Sequence, residues 1–152
     1  METVFIREVS ARYSKTRRKK FGISKAKDVA DFVRSKVLKD NTKEHFILLS
    51  LDASHKVISY SVISVGTANY SVVHPREVFQ VAILSGAVAI IVAHNHPSGS
   101  SLPSDADHEV TKKLKDAGEV LGIKVLDHVI IGDVSHHSFL ENGPVTFSKG
   151  GR

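Results

Sequence analysis

Cysteine is absent from this 152-residue chain. That absence excludes disulfides, thiolate nucleophiles, iron–sulfur clusters and cysteine-type zinc knuckles together. It suits a reducing compartment, and a cytoplasmic location is expected. Long apolar runs are missing too. The longest, around Ala87 to Ala93, is strand-sized, well short of the roughly 18 residues a membrane span needs, so no membrane partner is expected. The opening METVFIREVS lacks both the apolar stretch and the small-residue cleavage site of a secretory leader. No internal repeat, low-complexity segment or phosphate-binding glycine loop occurs. What is present is the composition of one globular domain, 41% hydrophobic and 24% charged, long enough to bury a core without staples.

The net charge of +5 is unevenly spread. Residues 1–20 hold 7 Lys/Arg against 2 acids, and the other 132 hold 14 against 14. The excess lies in an N-terminal arm, in Arg12, Lys15, Arg17, Arg18, Lys19 and Lys20. Such an arm is either a solvated, solubilising tail or a contact to nucleic acid through counterion release. In the second case Arg17, Arg18, Lys19 and Lys20 are the candidate contacts to DNA. The expected organisation is a basic arm over 1–22 and one domain over 23–152.

Along the chain, Ser24 reads as the N-cap of a helix over about 25–39, with Val29, Phe32, Val33 and Val37 on one apolar face. Asp40, Asn41 and Thr42 break it. His45 to Leu51 and Lys56 to Val65 read as a hairpin around Asp52–His55, and 66–69 as a loop. A helix over about 76–86 follows Pro75 and ends at Gly86. Ala87 to Ala93 is continuously apolar and β-branched, a central strand covered on both faces. Residues 105–121 space Val110, Leu114, Ala117 and Leu121 along one helical face, with Gly122 to close it. Lys124 to Ile131 is a second buried strand, and Ser138 to Glu141 a short last one. This order predicts an α/β domain with a mixed sheet.

Three features meet at the end of the central strand. His94 and His96 are two apart, so an extended backbone sends both imidazoles to one side. Pro97 cannot continue a ladder, which ends the strand there. Asp107 lies in the first turn of the next helix, where a tight loop can return it over the strand's end. Two imidazoles and a carboxylate make a three-ligand zinc site whose fourth position takes water, and such water becomes a nucleophile near neutral pH. Each piece also has a plainer reading. A His-x-His pair is commonly a surface or hydrogen-bonded pair, and Ser104-x-x-Asp107 is a helix capping box. Asp107 can face a cation while Ser104 caps, since both sit at the positive end of the helix dipole.

His94-x-His96-Pro, seven residues from Pro97 to Pro103, then Ser104-x-x-Asp107 resembles the His-x-His-x7-Ser-x-x-Asp core of the JAMM (MPN-type) metalloproteases. AHNHPSG, PSDAD and LGIKVLDHVIIG look like its RadC-type bacterial branch, over about residues 44–143. The resemblance implies a single MPN/JAB-type, cytidine-deaminase-like three-layer fold, a mixed sheet flanked by helices. It implies Zn2+ held by His94, His96 and Asp107, with Ser104 donating to the oxyanion. The reaction implied is hydrolysis of a peptide or isopeptide bond in a peptide or protein substrate. A glutamate upstream is the implied general base: Glu44, at the start of the first hairpin strand, or Glu77, in the first turn of the second helix. Full-length members of this branch carry an N-terminal helix-hairpin-helix segment associated with DNA binding; here the corresponding features are the arm and one helix.

The other histidines read differently. Asp127-His128 lies inside a strand, one of the two facing inward, either as a satisfied core pair or as a pair orienting a ligand from behind. His136-His137 reads as an exposed loop, and His108 as the exposed side of the third helix. Three functional readings follow: a zinc peptidase or isopeptidase, a nucleic-acid accessory module using the basic arm, and an MPN scaffold without activity. The complete ligand set and a candidate base argue against the third.

Overall fold

The computed structural model describes residues 1–66 and 73–142. Two strands carry the sheet. Glu44–Leu51 (β2) and Ala89–Asn95 (β4) are apolar almost throughout, so both of their faces must be covered. They pair antiparallel at the centre, Phe46 opposite His94 and Leu51 opposite Ala89. Lys56–Gly66 (β3) returns from β2 through a turn in which Asp52 Oδ1 accepts from the N–H groups of Ser54 and Lys56. Beyond β4, Lys124–Ile131 (β5) runs parallel to it, and His136–Ser138 (β6) adds on antiparallel. Phe21–Gly22 (β1), assigned by the sequence to the arm, pairs with Val57 and Lys56. The order is β1-β3-β2-β4-β5-β6, the mixed sheet expected.

Alternation along the strands fixes the layers. Ile47, Leu49, Leu51, Ile91 and Ala93 face one way, where Ala26–Phe32 (α1) packs Ala26, Val29 and Ala30 against them. Phe46, Leu48, Ile90 and Val92 face the other, beneath Pro75–Leu84 (α2) and Asp105–Leu121 (α3). Parallel pairing of β4 and β5 requires a crossover, and α3 is that crossover. It has the bounds its apolar spacing predicts, with Gly122 at φ 70° just past its end. No helix among the described residues is long and apolar enough to cross a membrane.

Several elements differ from the sequence reading, each for a local reason. The first helix stops being α-helical at Phe32 and runs on as a π-helical turn over Val33–Val37, closed by Leu38 N–H on the Val33 carbonyl. There the Ser35 hydroxyl bonds back to the Asp31 carbonyl, which competes with the regular ladder. Ser24 is not the N-cap; Lys25 is. Ser24 instead donates its N–H and hydroxyl to Asp28, at 2.9 Å each. Gly66 ends β3 opposite Glu44 and is no loop residue; Thr67 to Asn69 lie outside the described residues. The last strand is His136–Ser138, and the chain then turns into a short helix, Phe139–Asn142 (α4), because Ser138 Oγ accepts the Glu141 N–H.

Gly118 sits where α3 turns back onto the sheet. A Cβ there would run into the Ile123 carbonyl and press on Val125 and Phe79. Alanine normally gains about 1 kcal/mol over glycine inside a helix. Here Gly118→Ala is expected to lose about 1–3 kcal/mol through overpacking, seen as a lower urea midpoint at unchanged slope. A stabilised variant would show that α3 and β5 do not approach this closely.

Candidate metal centre

The alternation that sends Ile90 and Val92 under α3 carries His94 to the same face, fully buried at the end of β4. The ladder stops one residue later. His96 donates its N–H to the Ile131 carbonyl at 3.1 Å and turns its ring back toward His94. Above them stands the N-terminus of α3, fixed by a reciprocal box: Ser104 Oγ accepts the Asp107 N–H at 3.2 Å, and Asp107 Oδ2 accepts the Ser104 N–H at 2.8 Å. The carboxylate that caps the helix also meets both rings. Asp107 Oδ1 lies 3.1 Å from His94 Nε2, Oδ2 lies 3.2 Å from His96 Nε2, and the two Nε2 atoms are 3.0 Å apart. Glu44 Oε1 stands behind, 3.7 Å from His94 Nε2. One ligand atom from each of these four residues lies within 4.8 Å of the others.

Hydrogen bonding fixes what these atoms present. The Ser100 carbonyl can only accept, so the neutral His96 ring points its Nδ1–H at it, 2.9 Å away, and leaves Nε2 bare. Burial pushes the Asp107 carboxyl up, but hydrogen bonds with His94 and His96 outweigh it and hold the group well below its ordinary range. The hydrogen bond with Asp107 raises His96, against burial. Burial raises Glu44, partly offset by the two imidazoles. Two carboxylates and two imidazoles thus converge where a proton or a cation must lie between them. Such nitrogen and oxygen donors fit a divalent metal ion.

A family model described as RadC-like JAB domain matches residues 23–144. The chain belongs to the RadC-like JAB domain family. It is 53% identical over 106 residues to a UPF0758 protein of Trichlorobacter lovleyi, covering 70% of this chain and 46% of that one. A UPF0758 protein of Staphylococcus haemolyticus is 49% identical over 131 residues, covering 86% and 57%. One from Chlorobium phaeovibrioides is 42% identical over 146 residues, covering 96% and 65%. The chain spans about half the length of the curated relatives it matches.

In this JAB domain the cluster lies in a pocket of about 610 Å³, lined also by Ser104, Leu102 and Val110. Glu77 is exposed in the first turn of α2 and does not line it. Of the arm residues, Arg18 donates to the Tyr60 hydroxyl at 3.0 Å and lies over its ring, and Lys20 pairs with Asp52 at 3.3 Å; Arg17 and Lys19 are exposed. His108 is exposed, its ring against Phe139. His136 and His137 form β6 and are partly buried, not an exposed loop, because β5 pairs with them and Phe139 packs on His137.

Asp127 and His128 are both buried, since the sheet is covered on both faces, and they part company there. His128 Nε2 is 2.7 Å from His94 Nδ1. Asp127 faces the α1 side, accepting from Ser138 Oγ at 2.6 Å and from the N–H groups of His128 and Leu140.

Sequence reasoning missed two residues that hold the site. Asn95 accepts the His45 N–H at 2.7 Å and donates to the Lys43 carbonyl at 3.0 Å, clamping the main chain on both sides of Glu44. Thr111, one turn along α3 from Asp107, touches His128 Nδ1 at 2.6 Å. Neither carries a motif. An amide between His94 and His96 and a hydroxyl at i+4 from Asp107 were the available signals.

Burial pushes Asp127 up to about 6, against the hydrogen bonds from Ser138, Leu140 and His128. Its folded value is therefore above the ordinary 3.8, and folding takes up a proton. Stability from this group is fully present below the unfolded value and is lost as pH rises through about 6. The swing is on the order of 2–3 kcal/mol at about 1.4 kcal/mol per unit. Urea unfolding of metal-free protein across this window should show the trend, and Asp127→Asn should flatten it. Parallel curves for the two proteins would refute the assignment.

Proposed function

We propose that this JAB domain is a zinc-dependent hydrolase cleaving a peptide or isopeptide bond. The observation that carries the reading is the close approach of the Asp107 carboxylate to both imidazoles: the two Nε2 atoms are 3.0 Å apart, Oδ1 lies 3.1 Å from that of His94 and Oδ2 lies 3.2 Å from that of His96. Donors on a tetrahedral zinc ion at about 2.0–2.1 Å lie about 3.3 Å from one another, so these contacts are spaced as the ligands of one ion are. Glu44 is set back at 3.7 Å from His94, which supports three protein ligands and an open fourth position over four protein ligands. When bound, zinc supplies an acidic water and a positive charge beside the substrate carbonyl.

The chain's own residues divide the remaining work. Glu44, partly buried and raised by that burial, takes a proton and returns it to the leaving nitrogen. Asn95 holds it in place through the main chain at Lys43 and His45. Ser104 Oγ accepts from Asp107 and keeps its own hydrogen to donate to the developing oxyanion. Leu102, Val73 and Val110 offer apolar surface in the same pocket for a substrate side chain. We place this chemistry in the cytoplasm, on a peptide or protein substrate.

Zinc content after chelator treatment and reloading, read beside cleavage of peptide and isopeptide libraries, tests the reading. Glu44→Gln is expected to keep its metal and lose about 10²–10⁴-fold in rate, the range of a general base. His96→Ala and Asp107→Ala should lose both metal and cleavage. Undiminished cleavage by Glu44→Gln, or a zinc-loaded parent that opens no amide bond, would sink the proposal.

A further inference from the structure

The hydrogen bonds behind His94 can be traced in one direction from the main chain outward, the direction that frees His94 Nε2 for a metal. They start at the main chain. The Asp107 carbonyl oxygen has no hydrogen to give, so Thr111, 2.7 Å away, donates its single hydroxyl hydrogen to it. With that hydrogen committed, Thr111 Oγ1 can only accept from His128 Nδ1 at 2.6 Å. His128 therefore carries its proton on Nδ1. The ring is fully buried, with Phe139 stacked on it at 4.9 Å and Phe46 edge-on at 5.6 Å. Between a hydroxyl and another imidazole, a cation there would be desolvated without a counter-charge in contact. The ring is thus neutral and its Nε2 is a bare acceptor. His94 Nδ1, 2.7 Å from it, must supply the hydrogen. That leaves His94 Nε2 with a lone pair facing Asp107 Oδ1 and His96 Nε2.

We propose that Thr111 and His128 are positioning residues that set the tautomer of His94 and so its capacity to ligate zinc. The inference rests on the zinc reading of the site given above. The relay begins and ends on one residue: the main-chain oxygen of Asp107 fixes His94 from behind, while its carboxylate meets His94 from the front. The seating of α3 accordingly delivers one ligand and prepares another in a single act. His96 has a separate device, the Ser100 carbonyl, so the two imidazoles are oriented independently.

Thr111→Val keeps the shape of the side chain and removes the hydroxyl, while Thr111→Ser keeps the hydroxyl. Zinc affinity, measured by competition with a chromogenic chelator, is expected to fall about 10–100-fold in Thr111→Val, the usual cost of losing an outer-shell partner of a ligating histidine. Thr111→Ser should bind as the parent does. A hydroxyl with a purely structural role would lower the melting temperature of metal-free and zinc-loaded protein alike and leave affinity unchanged. In the zinc-loaded parent, imidazole nitrogen shifts should place the His128 proton on Nδ1. Equal zinc affinity in Thr111→Val, or a His128 proton on Nε2, overturns the relay while leaving the zinc site standing. A parent chain that takes up no zinc overturns the site and the relay together. Should Thr111→Val fail to fold, the nitrogen shifts of the parent decide alone.

Discussion

Asp107 is held against two imidazole edges at once, and the rest of the site is arranged to tolerate that. A buried carboxylate facing two imidazole nitrogens is an unstable arrangement unless positive charge fills the gap. In the metal-free chain the hydrogen bond with Asp107 favours the protonated form of His96 and raises that histidine. A divalent ion fills the gap better, since one charge can serve both rings and both carboxylates. The two oxygens of Asp107 have enough lone pairs to cap α3 through Ser104 and still meet His94 and His96. The carboxylate that caps α3 also faces both imidazoles, so the capping-box reading of Ser104-x-x-Asp107 leaves room for a cation.

The placement of the cluster follows from the sheet. β4 is flanked by antiparallel β2 on one side and parallel β5 on the other, so the connections at its carboxyl end leave in different directions and open a cleft. Glu44 enters from β2, the histidines from β4, and Asp107 from the crossover that parallel pairing demands. Asn95 shows how closely these are tied. Its side chain, between the two histidines in sequence, bonds on both sides of Glu44 in the neighbouring strand, so β4 positions the candidate base directly. A larger groove of about 730 Å³ lies elsewhere, between α1 and the far end of α3. It holds none of the four clustered residues.

What could be read from the residues divides along sequence distance. His94 and His96 share a face because strand alternation is local, and α3 runs from Asp105 to Leu121 because its apolar spacing and both end signals are local. The mixed sheet followed from the order of elements. The π-helical turn at Val33–Val37 was not legible, because the apolar spacing of Val29, Phe32, Val33 and Val37 suits a continuous helix and the widening depends on Ser35 and Leu38. The contacts of His128 with Thr111 and His94 join residues 17 and 34 apart, and no periodicity records such pairings. Asp127 and His128 were legible as a pair but not as neighbours serving opposite faces, which required knowing that both faces are covered.

The inactive-scaffold reading has to explain why the core carries these groups at all. His94, His128, Asp107 and Thr111 are buried together in a layer otherwise made of Phe46, Phe139 and aliphatic side chains. Replacing such polar groups with apolar ones of similar volume is commonly neutral or stabilising, so packing alone gives no reason for them. Two imidazoles and a carboxylate, a raised Glu44 beside them and the Ser104 hydroxyl form a set that supports the proposed chemistry at this site.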